Sequence, residues 1–234
     1  MKLLVVLTQY KRSHLENQLK QIDNQTIKPD YVVVFQNENH IDISHLKSTY
    51  NFIHIKSDYN TKYFGRFAAC FTFPVDICMV FDDDIIPGTN CIQNYVEQCV
   101  NLNAIIGGNG RIGYNNQHKL RRPRDVGKRQ DATLVDFVGH LWCFKKEWLH
   151  YMFGIEPFTY DTGEDMHFCY SAKLLGNVNS FVGKQLQQCD ECDITNNSLA
   201  SDNVASHKTT TNDFRKSVED HFLRKYDLKL ITHN

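Results

Sequence analysis

The sequence predicts an α/β domain, a mixed and mostly parallel sheet flanked by helices. Three observations predict it. Short apolar runs rich in β-branched residues recur along the first half, segments of helix length separate several of them, and an acidic triplet, Asp82-Asp83-Asp84, follows one of those runs.

The elements follow in order. Leu3 to Leu7 is a continuous apolar run that reads as a buried first strand. A helix then runs to about Ile22, with Leu15, Leu19 and Ile22 on one face and Ser13 placed to cap it. Pro29 and Asp30 end that segment. Tyr31 to Phe35, Phe52 to Ile55 and Ile77 to Phe81 are further strands. Pro87-Gly88 marks a turn, Cys91 to Leu102 a helix and Ala104 to Ile106 a strand. Strand character returns at Val135 to Gly139, and a short helix follows at Lys146 to Tyr151. A helix from Glu164 to about Leu175 is stopped by Gly176. The chain turns polar from Gln185 through Asp202, and an amphipathic segment from Asp213 to Tyr226 closes it.

At 234 residues with no internal repeat, one domain is expected over residues 1–234. Hydrophobic residues make up 41% and charged residues 23%, which excludes a disordered or fibrous chain. A net charge of −1 supplies no global attraction to nucleic acid or to an acidic membrane. The apolar start is too short for a signal peptide, and no run approaches the ~18 apolar residues of a membrane span, so a cytoplasmic protein with free thiols is expected. The eight cysteines are scattered. Cys189 and Cys192 have the spacing of half a zinc site, but no second pair completes it.

In open α/β sheets, ligands bind at the carboxyl ends of the strands. That rule gathers Thr8 and the residues after it, Asn37, and the aspartate triplet on one edge. Neighbouring carboxylates there suit a hard divalent cation, Mn²⁺ or Mg²⁺, with coordination positions left for phosphate oxygens. Arg66, in Gly65-Arg66-Phe67, is a guanidinium suited to a diphosphate or a sugar. The bland alternatives are a solvated acidic turn and a surface arginine.

The order Thr8 to Arg12, Asn37, Gly65-Arg66, then an apolar strand into Asp82-Asp83-Asp84 resembles the nucleotide-binding half of GT-A fold glycosyltransferases, especially the exostosin-like group. The opening, Thr8-Gln9-Tyr10-Lys11-Arg12, is one residue longer than the threonine-aromatic-x-arginine pattern of that group. The chain also resembles small glycosyltransferases of large algal DNA viruses. The resemblance implies a single GT-A, Rossmann-like domain. Residues about 1–110 would bind the nucleotide sugar, a UDP-sugar by preference, and residues about 111–234 a glycan or glycoconjugate acceptor.

It further implies Thr8, Arg12, Asn37, Arg66, Asp82, Asp83 and Gly139 around the donor, with Asp82, Asp84 and His207 at the metal. Glu164 and Asp165, in Gly163-Glu164-Asp165, become the catalytic acidic pair, Asp165 facing the acceptor hydroxyl. Each residue has a structural alternative: Gly139 as a bulge, the acidic pair as a favourable helix start, His207 as surface decoration.

Two rivals are weaker. A sugar nucleotidyltransferase usually carries a glycine-rich loop after the first strand, and Thr8 to Arg12 has no glycine. A nucleic-acid-binding module would use the basic stretch containing Lys119, Arg121, Arg122, Arg124, Lys128 and Arg129, which lacks interleaved aromatics for base stacking. No nucleic-acid partner is therefore expected. A non-catalytic glycan-binding relic is disfavoured because the acidic residues are intact.

Overall fold

The structure, a computed structural model, describes residues 1–113, 130–195, 199 and 212–231. The strands are β1 (Leu3–Gln9), β2 (Tyr31–Asn37), β3 (Ile53–Ser57), β4 (Ile77–Phe81), β5 (Ile105–Arg111), β6 (Thr133–Val135), β7 (Phe137–Lys145) and β8 (Ser180–Val182). The helices are α1 (Leu15–Asp23), α2 (Gly65–Ala69), α3 (Cys91–Leu102), α4 (Leu149–Met152), α5 (Glu164–Gly176) and α6 (Asn212–Tyr226).

All eight strands form one sheet, in the order β3-β2-β1-β4-β7-β5-β8-β6. The first four pair in parallel, because each return passes through a crossover. Strand β7 runs antiparallel between β4 and β5, β8 pairs in parallel with β5, and β6 is antiparallel to β8. The central strands are buried on both faces: Leu4 to Leu7 on β1 and Cys78 to Phe81 on β4 are shielded completely. This explains their unbroken apolar runs. Helix α1 buries Leu15, Leu19 and Ile22, as its periodicity predicts.

Three local expectations need correction. Helix α1 begins after His14 with no side-chain cap, so Ser13 does not cap it. The segment expected as one strand from Val135 to Gly139 is two, split at Asp136. That carboxylate accepts the N–H groups of Gly113 (2.7 Å) and Ile231 (2.9 Å), pinning two distant stretches at the break. Gly176 does not make the left-handed stop of α5; Asn177, at φ 49°, does. Gly176 is instead a packing position, where an added Cβ would fall 2.3 Å from the Tyr151 ring.

Within the polar stretch after Gln185, residues 189–194 form a brace. Gly88 and Asn90 donate their N–H groups to the carbonyls of Glu191 (2.9 Å) and Cys189 (2.7 Å), and Ile194 donates to Ile86 at 2.8 Å. Cys192 is buried against Gly108, where a Cβ would sit 2.5 Å from its sulfur. The Cys189 to Cys192 segment therefore supports the chain that follows the aspartate triplet. Among the described residues no helix is long and apolar enough to cross a membrane.

Candidate active site

The C-terminal ends of β1 and β4 lie side by side, and the Thr8 hydroxyl ties them by donating to the Phe81 carbonyl at 2.8 Å. Immediately beyond Phe81 the chain leaves the sheet through Asp82, Asp83 and Asp84. Their backbone is fixed from two sides: His140 on β7 accepts the Asp82 N–H at 3.0 Å, while the Gln18 amide donates to the carbonyls of Asp82 and Ile85, both at 2.8 Å. Gln18 is fully buried on the same face of α1 as Leu15 and Ile22. A polar residue on that apolar stripe is a signal that sequence inspection passed over.

Two guanidinium groups hold the triplet. Arg12 pairs with Asp83 and lies 3.2 Å from Asp84. The residue by which the opening motif is longer is absorbed in a tight turn: Lys11 adopts φ 59°, and the Arg12 N–H donates back to the Tyr10 carbonyl at 2.8 Å. Arg66, on the first turn of α2, is buried. It pairs with Asp82, donates to Glu164 at 3.0 Å and to the Thr8 hydroxyl at 3.3 Å, and its guanidinium lies 4.8 Å from the Trp142 ring centroid. Thr8, Arg66, Asp82 and Glu164 thus form one connected network.

The acidic pair opens α5. Gly163, at φ 79°, supplies the left-handed residue before the helix, a conformation glycine adopts without Cβ strain. The Asp165 Oδ1 accepts the Met166 N–H at 2.8 Å, and its other oxygen pairs with Arg215 of α6. Gly139 sits opposite: among the described residues, a Cβ built there would meet Asp165 Oδ2 at 3.9 Å and Trp142 Cζ2 at 4.0 Å, ordinary van der Waals contact. The next residue, His140, has φ 67°, and the β5–β7 register shifts between Gly107 and Asn109. A bulge therefore turns β7 beside the aspartates. The His140 Nδ1 is buried without a hydrogen-bond partner.

Asn37 is placed differently from the rest. Its amide accepts from the Thr61 N–H and hydroxyl, both at 2.9 Å, and donates to Asn60 (2.9 Å) and to the Lys62 carbonyl (3.0 Å). It shapes the loop before α2 that carries Arg66 into the site. His207 and the basic stretch from Lys119 to Arg129 lie outside the described residues.

Five carboxylates thus meet three guanidinium groups. Burial pushes Asp83 up to about 7, against the pull of Arg12 and with the help of Asp84 and Asp82. Asp84 is raised by burial and by Asp82. Burial and the adjacent Asp165 push Glu164 up to about 7, although Arg66 and Arg215 oppose this. Burial alone would weaken the Arg66 charge, but the carboxylates of Asp82 and Glu164 outweigh it and hold the guanidinium protonated. Among the described residues the site thus holds more carboxyl groups than guanidinium groups.

Oxygen donors such as Asp82 and Asp84 are of the kind a hard divalent cation takes, and each is engaged here by a guanidinium group. Two carboxylates suffice when phosphate oxygens and water complete the shell. Among the described residues no three His, Cys, Asp or Glu side chains form a ready metal cage.

The sheet order, with an acidic turn leaving its central strand toward a ligand edge, is that of a mixed α/β fold of the GT-A type. Among the solved structures it resembles are those of TarS from S. aureus. The match is at TM-score 0.58 to TarS 1-349 in complex with UDP-GlcNAc, with 13% identity over 80% of this chain and 57% of that one. It is 0.57 to the complex with UDP, with 13% identity over 80% and 59%, and 0.56 to TarS 1-349, with 13% identity over 80% and 61%. The chain therefore spans about three fifths of the length of these chains, and the likeness is one of fold. No protein-family model matches the sequence, and no curated protein matches it.

Proposed function

We propose that the protein is a metal-dependent glycosyltransferase that moves a sugar from a UDP-sugar to a hydroxyl of a glycan or glycoconjugate acceptor. The observation that carries this is the convergence of Arg12, Arg66, Asp82 to Asp84, Glu164 and Asp165 on the carboxyl edge of one sheet, with more carboxyl than guanidinium groups among the described residues. Chains of the same fold, the TarS structures, are solved with UDP and with UDP-GlcNAc, which supports a nucleotide-sugar donor. The motif order from Thr8 through the triplet supports kinship with the exostosin-like group.

In this reading Asp82 and Asp84, with His207, would hold Mn²⁺ or Mg²⁺, which would supply positive charge against the diphosphate leaving group. The remaining chemistry belongs to side chains. Arg66 and Arg12 turn their guanidinium groups to the diphosphate as negative charge develops on it, each moving from a carboxylate partner to a phosphate partner of the same sign. Asp83 and Asn37 order the loops around the nucleotide. The space over the Cα of Gly139, which has no side chain, receives the reacting sugar. Asp165, beside that space, accepts a hydrogen bond from the acceptor hydroxyl and orients it, with Glu164 supporting the charge of Arg66. Residues about 1–110 then serve as the donor half and residues about 111–234 as the acceptor half.

The test is calorimetric titration with UDP in the presence and absence of Mn²⁺, followed by a screen of UDP- and GDP-sugars, UDP-GlcNAc first, for metal-dependent hydrolysis. Manganese-dependent UDP binding is the expected result. Binding of no nucleotide under either condition removes the proposal.

A further inference from the structure

We propose that Arg215, on helix α6, is a positioning residue for the transfer step, aiming Asp165 across the face of Gly139. This rests on the function proposed above.

The two oxygens of Asp165 are fixed by different elements. Oδ1 takes the Met166 N–H of its own helix at 2.8 Å, whereas Oδ2 takes Nη2 of Arg215, fifty positions further along. Oδ2 is also the nearest heavy atom, at 3.9 Å, to the Cβ that Gly139 lacks. One carboxylate oxygen therefore borders both the guanidinium and the face of Gly139 at the ligand edge. It has two lone pairs, so it can accept from Arg215 and from a substrate hydroxyl together. Without the guanidinium, only the Met166 N–H would hold the carboxylate, which could then rotate away.

Helix α6 is built to present this contact. Arg215, Val218, Glu219 and Phe222 recur at the spacing of one helical face. Val218 packs on Gly163, leaving only 3.0 Å to a Cβ there; Glu219 accepts from the buried Tyr170 hydroxyl at 2.8 Å; and the Phe222 ring lies 5.4 Å from Tyr170 and 5.5 Å from His167. Three anchors on α5 or just before it fix the helix, and the fourth member of the face reaches Asp165. The other charges near Asp165 are Glu164 beside it and Arg66, which pairs with Glu164. Arg215 is thus the only partner of Asp165, among the contacts described, that a distant part of the chain supplies.

The experiment compares Arg215→Met, Arg215→Lys and Val218→Ala with the wild type, reading UDP affinity with Mn²⁺ by calorimetry and UDP-GlcNAc hydrolysis by kcat and KM. Arg215→Met is expected to bind UDP within about twofold of wild type and keep its KM, while kcat falls on the order of ten- to a hundredfold through lost orientation. Arg215→Lys should recover part of kcat, and Val218→Ala, which removes one of the three anchors but keeps the guanidinium, should lose clearly less kcat than Arg215→Met. Wild-type kcat in Arg215→Met overturns the inference, as does an equal loss in Val218→Ala or a lysine variant no better than methionine. Wild-type protein that binds no UDP is a different failure: it removes the proposed function, and the inference with it.

Discussion

Arg66 and Glu164 are joined by a 3.0 Å hydrogen bond inside the protein, although ninety-eight positions separate them. The same guanidinium holds Asp82, so one buried cation links the acidic turn after β4 to the acidic start of α5. Removing one partner of such a pair leaves uncompensated buried charge.

Arg66→Met should therefore destabilise the fold by about 3 kcal/mol or more at neutral pH, because both Asp82 and Glu164 lose their counter-ion. Urea unfolding measures it. A variant as stable as wild type would show that the network is not buried as described.

Asp84→Asn is expected to fold normally, since Arg12 keeps its pairing with Asp83. It should lose the manganese-dependent part of UDP affinity, by tenfold or more. Titration with UDP and Mn²⁺ checks this, and unchanged affinity counts against Asp84 as a metal ligand.

Glu164 and Asp83 both sit near 7, above their ordinary ranges. The ligand-free folded state therefore binds more protons than the unfolded chain between about pH 4 and 7, and the stability these groups contribute is present below that window and lost as pH rises through it. The melting temperature should fall from pH 5 to pH 8, a loss of a few kcal/mol in order of magnitude. Glu164→Gln should flatten the slope. A melting temperature rising over that range in wild type would refute it.

Gly139→Ala tests the space over that residue directly. The methyl meets its nearest neighbour among the described residues at 3.9 Å, so stability should change by less than about 1 kcal/mol. Donor hydrolysis should nevertheless drop, because the methyl occupies volume assigned to the sugar. Full activity would show that no substrate approaches this point.

Gly107→Ala makes the contrasting case. There an added Cβ would stand 2.2 Å from the Val138 Cβ, a stiff β-branched side chain that cannot turn away. Overpacking should cost about 1–3 kcal/mol, read by thermal melting, and an unshifted melt would contradict the packing of β5 on β7.

Periodicity and composition alone located most strands, helix α3 to the residue, and the acidic turn at the sheet's ligand edge. Such features depend on neighbours in sequence: a strand buried on both faces must be apolar throughout, and polar residues after it mark its end. Asn37 shows the limit, since a residue at a strand end can shape a loop or touch a ligand, and here its amide is spent on Thr61, Asn60 and Lys62. Gly176 shows another, because a glycine ending a helix reads alike whether it turns the chain or admits a tyrosine ring.

By itself the sequence determined the α/β class, the parallel first half and the position of the aspartate triplet, because hydrophobic patterning and turn residues act over short separations. Tertiary structure alone decided the pairings Arg12 with Asp83 and Asp84, Arg66 with Glu164, and Arg215 with Asp165. Opposite charges far apart in the chain have many arithmetically possible partners, and only crossovers that return each segment to one sheet edge choose among them.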